Sequence, residues 1–267
     1  MFAVSALGYW DYALLNSLSD KHDPQRRRWR FSPLSRQHRQ PVSSPPYASL
    51  IPSYSCASTI TIAASHYYRH LFGLLPPSLS PPTARRPINV LWLSRAKLDS
   101  YAQAHNDWSN WRDLRHIKNE PELIKRIKDG MQELCDTPGD FAGGCVFENA
   151  QDVPESWTQP TLDDHPTPIR FATLDPTVHA LETQIHYVGH ATILVSSHGG
   201  ALGLSLFLPA GDATIVELQV DGVKGNWHFQ HMAAEMGHRY ELIGITKNVN
   251  VDDVWSAIQR WILKYAS

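Results

Sequence analysis

No run of about 18 consecutive apolar residues occurs in the chain, so the sequence predicts no transmembrane helix. Cysteine is scarce: Cys56, Cys135 and Cys145 are the whole set, and no C-x-x-C spacing is present. That removes the thiolate zinc sites and the dithiol redox motif, and it allows one disulfide while requiring none. The G-x-G-x-x-G fingerprint, the G-x-x-x-x-G-K-[ST] phosphate loop and the G-x-S-x-G nucleophile elbow are all missing. No N-x-[ST] sequon occurs, which lowers the expectation of a glycosylated lumenal protein. The opening stretch MFAVSALGYWDYALL is apolar but has no basic n-region and carries Asp11, so it does not read as a signal peptide. A dominant charge is lacking as well. Lys and Arg number 24 against 26 Asp and Glu, which gives no overall pull toward nucleic acid or membrane. The local basic run from Lys21 to Arg39 reads as a solvated loop in preference to an anion-binding arm.

What is present is ordinary globular composition over 267 residues, enough for one large domain or a domain and a half. The texture changes near residue 87. Residues 1–87 read as an irregular Pro/Ser/Arg-rich segment, with Pro45-Pro46, Pro76-Pro77 and Pro81-Pro82 and one helix over about Thr59 to Phe72. Residues 21–55 are expected to be loosely attached, because few apolar anchors offset the entropy of ordering them. From Ile88 onward, strands and helices alternate. Strands are predicted at 88–93, 145–147, 192–195, 213–218 and 240–243. Helices are predicted over 120–135, over 176–189 with Asp175 as cap, and over 201–207. A helix with Phe229, Met232, Ala233 and Met236 on one face stops at Gly237, and a last one buries Val254, Trp255, Ile258, Trp261, Ile262 and Tyr265. Such alternation predicts an α/β fold with a mostly parallel sheet over residues 88–267. Ligands in such folds sit beyond the carboxyl ends of the strands, which directs attention to the loops after Leu93, Val195 and Leu218.

Three constellations could carry chemistry there. In Ser196-Ser197-His198-Gly199-Gly200, an apolar strand runs into a glycine turn and then a helix; backbone can approach a ligand closely, and the first helical N–H groups can receive phosphate. His198 can donate to a phosphate oxygen or act as acid or base, and a tight turn with a satisfied histidine is the plainer alternative. Glu217 at the end of the next strand can accept from ribose hydroxyls, or simply face solvent. Arg95, just past the first strand, can pair with a diphosphate through its planar fork. In R-H-I-K-N-E-P-E-L, Asn119 and Glu122 make a helix cap, which leaves Arg115 unexplained. The pairs His228/His231 and His186/His190 have helix spacing for metal, but no third ligand lies at a suitable distance.

Taken in order, these blocks resemble glycosyltransferase family 61. The matching residues are Ser94-Arg95; then Arg115, Ile117, Asn119, Glu120, Glu122 and Leu123; then His198-Gly199-Gly200-Ala201-Leu202, Phe207, Leu208, Pro209, Gly211 and Glu217. The likeness runs from about Ile88 to Tyr240. Gly200-Ala201 stands where that family usually has Ala-Gly, and Ser205 where Asn is common.

The resemblance implies the Rossmann-like, nucleotide-sugar-binding lobe of a B-type glycosyltransferase fold. It also implies a UDP-sugar donor without metal or other cofactor, and inverting transfer of GlcNAc or a pentose to a protein or polysaccharide hydroxyl. Carried over to donor binding are Arg95, Arg115, Asn119, Glu120, His198, Gly199, Gly200 and Glu217, with His198 the weak candidate for a catalytic group. Residues 1–87 would be a remnant of the acceptor-binding lobe. The family setting would be the Golgi or endoplasmic reticulum lumen, although no targeting signal is read in this chain. The rival expectations are a truncated protein that binds nucleotide sugar without turnover and, more remotely, a metal-dependent hydrolase built on the paired histidines.

Overall fold

The computed structural model describes residues 57–74, 86–106, 115–137, 139, 141, 143–158, 166–223 and 225–266. The basic run, residues 21–55 and the proline pairs all lie outside the described residues.

Helix α1 (Thr59–Leu71) leads to strand β1 (Ile88–Leu93), α2 (Ala96–His105), α3 (Glu120–Asp136), β2 (Cys145–Asn149) and β3 (Thr167–Leu174). Then follow α4 (Leu181–Val188), β4 (Ile193–Ser197), a 3-10 helix (Gly200–Phe207), β5 (Thr214–Val220), α5 (His228–Met236), β6 (Arg239–Ile245) and α6 (Val251–Ala266). The six strands form one sheet in the order β2-β3-β1-β4-β5-β6, and every adjacent pair is parallel. This is an α/β, Rossmann-like parallel sheet.

Both faces are covered, which is why the strand interiors read as apolar runs. Along β1, Val90 and Trp92 join one core with Leu123, Ile127 and Met131 of α3 and Val254, Ile258 and Ile262 of α6. Leu91 and Leu93 join the opposite core with Val188 of α4, Leu202 and Leu204 of the 3-10 helix, and Phe229 and Ala233 of α5. The chain leaves β3 on one side of β1 and re-enters the sheet at β4 on the other. The carboxyl ends of β1 and β4 therefore flank the crevice where strand order reverses.

Helix α1 packs through a polar face. Buried Ser65 and Arg69 donate to the carbonyls of Leu206 and Phe207, and Arg69 also donates to that of Gly189. These bonds hold the end of the 3-10 helix that begins at Gly200. Burial pulls the Arg69 guanidinium down to about 10.

Four sequence expectations are corrected. Strand β3 is absent from the predicted set: Pro168 and the inward Arg170 interrupt its apolar run. Both are accommodated. Pairing with β1 begins only at Ile169, so Pro168 owes no N–H on that side. Arg170 meets Glu148 of β2 at 2.7 Å. Helix α2 is likewise unpredicted, being short and polar. The helix expected from Pro176 starts at Leu181, because Asp175 accepts from the N–H and hydroxyl of Thr177 and makes a turn instead. Asn119 holds the N-cap position of α3 without a side-chain cap bond; its amide bridges Val249, accepting from the N–H at 2.8 Å and donating to the C=O at 2.9 Å. The disulfide that the sequence allowed joins Cys135 to Cys145.

The α3–α6 contact is close because Gly130 lies under Trp255: a Cβ there would sit 2.3 Å from the indole. A rigid ring cannot yield cheaply. Gly130→Ala should therefore lower stability by about 1–3 kcal/mol despite alanine's better helix propensity. Urea denaturation measures it, and an unchanged or higher midpoint would show that α6 shifts freely.

Candidate functional site

The switch-point crevice is built from two strand ends. Beyond β1, Ser94 continues the pairing with β3, its N–H bonding Leu174 O at 2.9 Å. Arg95 then takes the N-cap position of α2. Beyond β4, the His198 N–H bonds Leu218 O at 2.8 Å, and Gly199 and Gly200 lead into the 3-10 helix. The first N–H groups of that helix have no intrahelical acceptor. Gly199 is extended (φ 166°), a conformation open to any residue. Its importance is proximity: a Cβ on Gly199 would lie 3.5 Å from Arg95 Nη1 and 3.8 Å from Arg115 Nη1. Space beside Gly200 is open, with nothing within 4 Å of a Cβ placed there.

Two guanidinium groups thus meet over one glycine turn. Burial lowers the Arg115 pKa first, and the Arg95 charge lowers it further. Like charges brought together in a half-buried crevice are unfavourable alone and favourable around an anion. Among the described residues, the counter-charge that meets Arg95 is Asp99 on the first turn of α2, with Nη2 to Oδ1 at 3.7 Å. Asp99 Oδ2 also meets His116 Nδ1 at 2.8 Å.

The remaining sequence candidates are placed differently. Glu120 is buried and accepts on Oε1 from Trp92 Nε1 at 2.7 Å and Ser94 Oγ at 2.8 Å. Burial raises its pKa, while those two bonds oppose the shift and the charges of Asp99 and Asp175 add to it. Its side chain ties the end of β1 to the start of α3. Asn119 is committed to Val249.

Glu217 is fully buried, with 0% of its surface exposed. It takes His198 Nδ1 and Gln219 Nε2 on Oε1, and the Tyr240 hydroxyl on Oε2 at 2.6 Å. Burial, then the bond and charge of Glu217, push the Tyr240 phenol up and keep it protonated. In this arrangement Glu217 fixes the His198 ring, which also packs edge-on against Phe229 at 5.2 Å.

The crevice therefore gathers Arg95, Arg115, Gly199 and Gly200, with His198 and Glu217 behind the turn and Asn119 and Glu120 as struts. Sequence reading does not reach Asp99, His116, Gln219 or Tyr240. The one available signal is that His116 sits inside the block around Arg115. The rings of His186 and His190 lie 5.0 Å apart. Among the described residues, no group of three or more His, Cys, Asp or Glu gathers in a way that could hold a metal ion. Nor is any described helix long and apolar enough to cross a membrane.

A scan against protein-family models and a search of curated proteins each found no match to the chain.

Proposed function

We propose that the crevice between β1 and β4 receives the diphosphate of a nucleotide sugar, and that the protein is an inverting glycosyltransferase similar to family 61. It would use a UDP-sugar to place GlcNAc or a pentose on a protein or glycan hydroxyl. The observation that carries this reading is the meeting of Arg95 and Arg115 at the Gly199 turn. Two planar forks and a glycine-opened helix start suit a diphosphate, whose charge must be compensated once it leaves water. In the transition state, negative charge grows on the leaving diphosphate, and fixed arginines there stabilise it without reorganisation. His198, locked by Glu217 behind the turn, serves this reading by fixing the backbone that leads into Gly199 and Gly200. The Cys135–Cys145 bridge supports an oxidising setting such as the secretory lumen.

Calorimetry with UDP, UDP-N-acetylglucosamine and UDP-xylose tests the proposal. Binding is expected, with stabilisation of roughly 2.7 kcal/mol at about 100 times the dissociation constant. No heat and no thermal shift at millimolar ligand would end the donor reading and leave only the fold.

A further inference from the structure

Transfer with inversion calls for a group that takes the proton of the incoming hydroxyl. We propose that His116, held by Asp99, is that general base. The proposal rests on the reading of the Arg95–Arg115 crevice as the donor diphosphate site.

The first support is the dyad itself. Asp99 is buried, 7% exposed, and its Oδ2 lies 2.8 Å from His116 Nδ1. A carboxylate at that distance selects the tautomer with the proton on Nδ1. The basic lone pair is then on Nε2, and the ring is oriented by a group that does not itself react.

The second is location. Asp99 Oδ1 is 3.7 Å from Arg95 Nη2, and Arg95 Nη1 lies against Gly199. One carboxylate therefore links the base to the anion site, although Asp99 and His116 are 17 residues apart in sequence.

The third is access. The His116 side chain is 29% exposed, whereas that of His198 is 4% exposed and closed in by Glu217 and Phe229. A base must meet a nucleophile arriving from solvent, so of the two histidines only His116 is suitably placed. Among the described residues, its charged surroundings include Asp99 from α2, Arg95 at the β1–α2 junction and Arg115 beside it in the chain; Glu120 at the start of α3 lies within Coulombic reach of Asp99.

The step balances as follows. The hydroxyl oxygen of acceptor or water bonds to the anomeric carbon opposite the diphosphate while His116 Nε2 takes its proton. The bond from that carbon to the β-phosphate oxygen breaks, and its electron pair leaves with the diphosphate beside Arg95 and Arg115. The imidazolium then returns the proton to solvent.

Donor hydrolysis, with water as nucleophile, tests this on the full chain by following UDP release from UDP-N-acetylglucosamine and UDP-xylose. His116→Ala should slow release about a hundred-fold or more while UDP affinity changes by less than about three-fold. Added imidazole should restore part of the rate. Asp99→Asn should alter the acidic limb of the pH–rate profile, where protonation of the base removes activity, an effect that loss of packing alone does not give. His116→Gln serves the same comparison if the alanine variant fails to fold. Hydrolysis within about three-fold of the parent in either His116 variant overturns the proposal. So does a wild-type chain that binds the donor and releases no UDP between pH 5 and 9, and in both cases the donor reading stands. A chain that binds no UDP overturns the donor reading first, and the base with it.

Discussion

Arg95→Ala should weaken UDP binding ten- to a hundred-fold, and Arg95→Ala with Arg115→Ala should weaken it by about a thousand-fold or more. A charge-assisted hydrogen bond to an arginine is typically worth about 1.5–3 kcal/mol, and each 1.4 kcal/mol is about a factor of ten. Because the two side chains act on the same anion, their effects should couple and not simply add. Stability of the free protein should move little or rise. Burial first, and the Arg95 charge after it, makes the Arg115 guanidinium less favourable there. A variant that loses affinity without losing stability is the signature of a binding site built against its own electrostatic interest. Calorimetry and thermal unfolding on the same samples check both halves. Affinity within three-fold of the parent in the double variant would remove the arginines from the site. Equal losses of affinity and stability would make them scaffold.

Glu217→Ala should destabilise the fold by about 3–5 kcal/mol. Its carboxylate is completely buried and holds three donors: His198 Nδ1, Gln219 Nε2 and the Tyr240 hydroxyl. Removing it strands His198 Nδ1 and the Tyr240 hydroxyl in a site that water does not reach and leaves Gln219 Nε2 with only its bond to Asn226 O, and breaking one partner of a buried polar network is among the most costly single changes. Glu217→Gln keeps the volume and one acceptor, so it should cost less. Urea denaturation followed by tryptophan fluorescence measures both. The result separates two roles for this residue. A ribose-binding Glu217 would give a variant of near-parental stability with weakened UDP binding. The buried anchor gives lost stability from both variants in the order Ala greater than Gln. A drop below about 1 kcal/mol for Glu217→Ala would show that the network is dispensable.

Much of the sheet is legible from the chain itself. Strands β1, β4 and β5 are legible from short apolar stretches (Val90 to Leu93, Ile193 to Val195, Ile215 to Val216), and the predicted helices over α3 and α6 follow from apolar residues spaced by three and four. The residues that end up around the crevice are marked by position alone, since Arg95 and the His198-Gly199-Gly200 turn each follow such a run. Strand β3 escapes because its signal is non-local. Arg170 is tolerable inside only because Glu148 stands opposite it, and Pro168 only because β1 has not yet begun at that register.

The sequence by itself determined the fold class, the strand ends that carry the candidate site, and the presence there of two arginines and a glycine turn. These are local matters of periodicity and punctuation. Only the tertiary structure decided what each side chain does. It turned Glu217 from an open acceptor into a buried anchor by covering it with Tyr240 from β6 and His198 from the β4 turn. It spent Asn119 on Val249, 130 residues away in sequence, and Glu120 on Trp92 and Ser94. It also brought Asp99 to His116 beside the arginines. The physical reason is common to all four. A polar side chain's role is set by which partners reach it and whether water does, and both depend on how distant strands and helices stack.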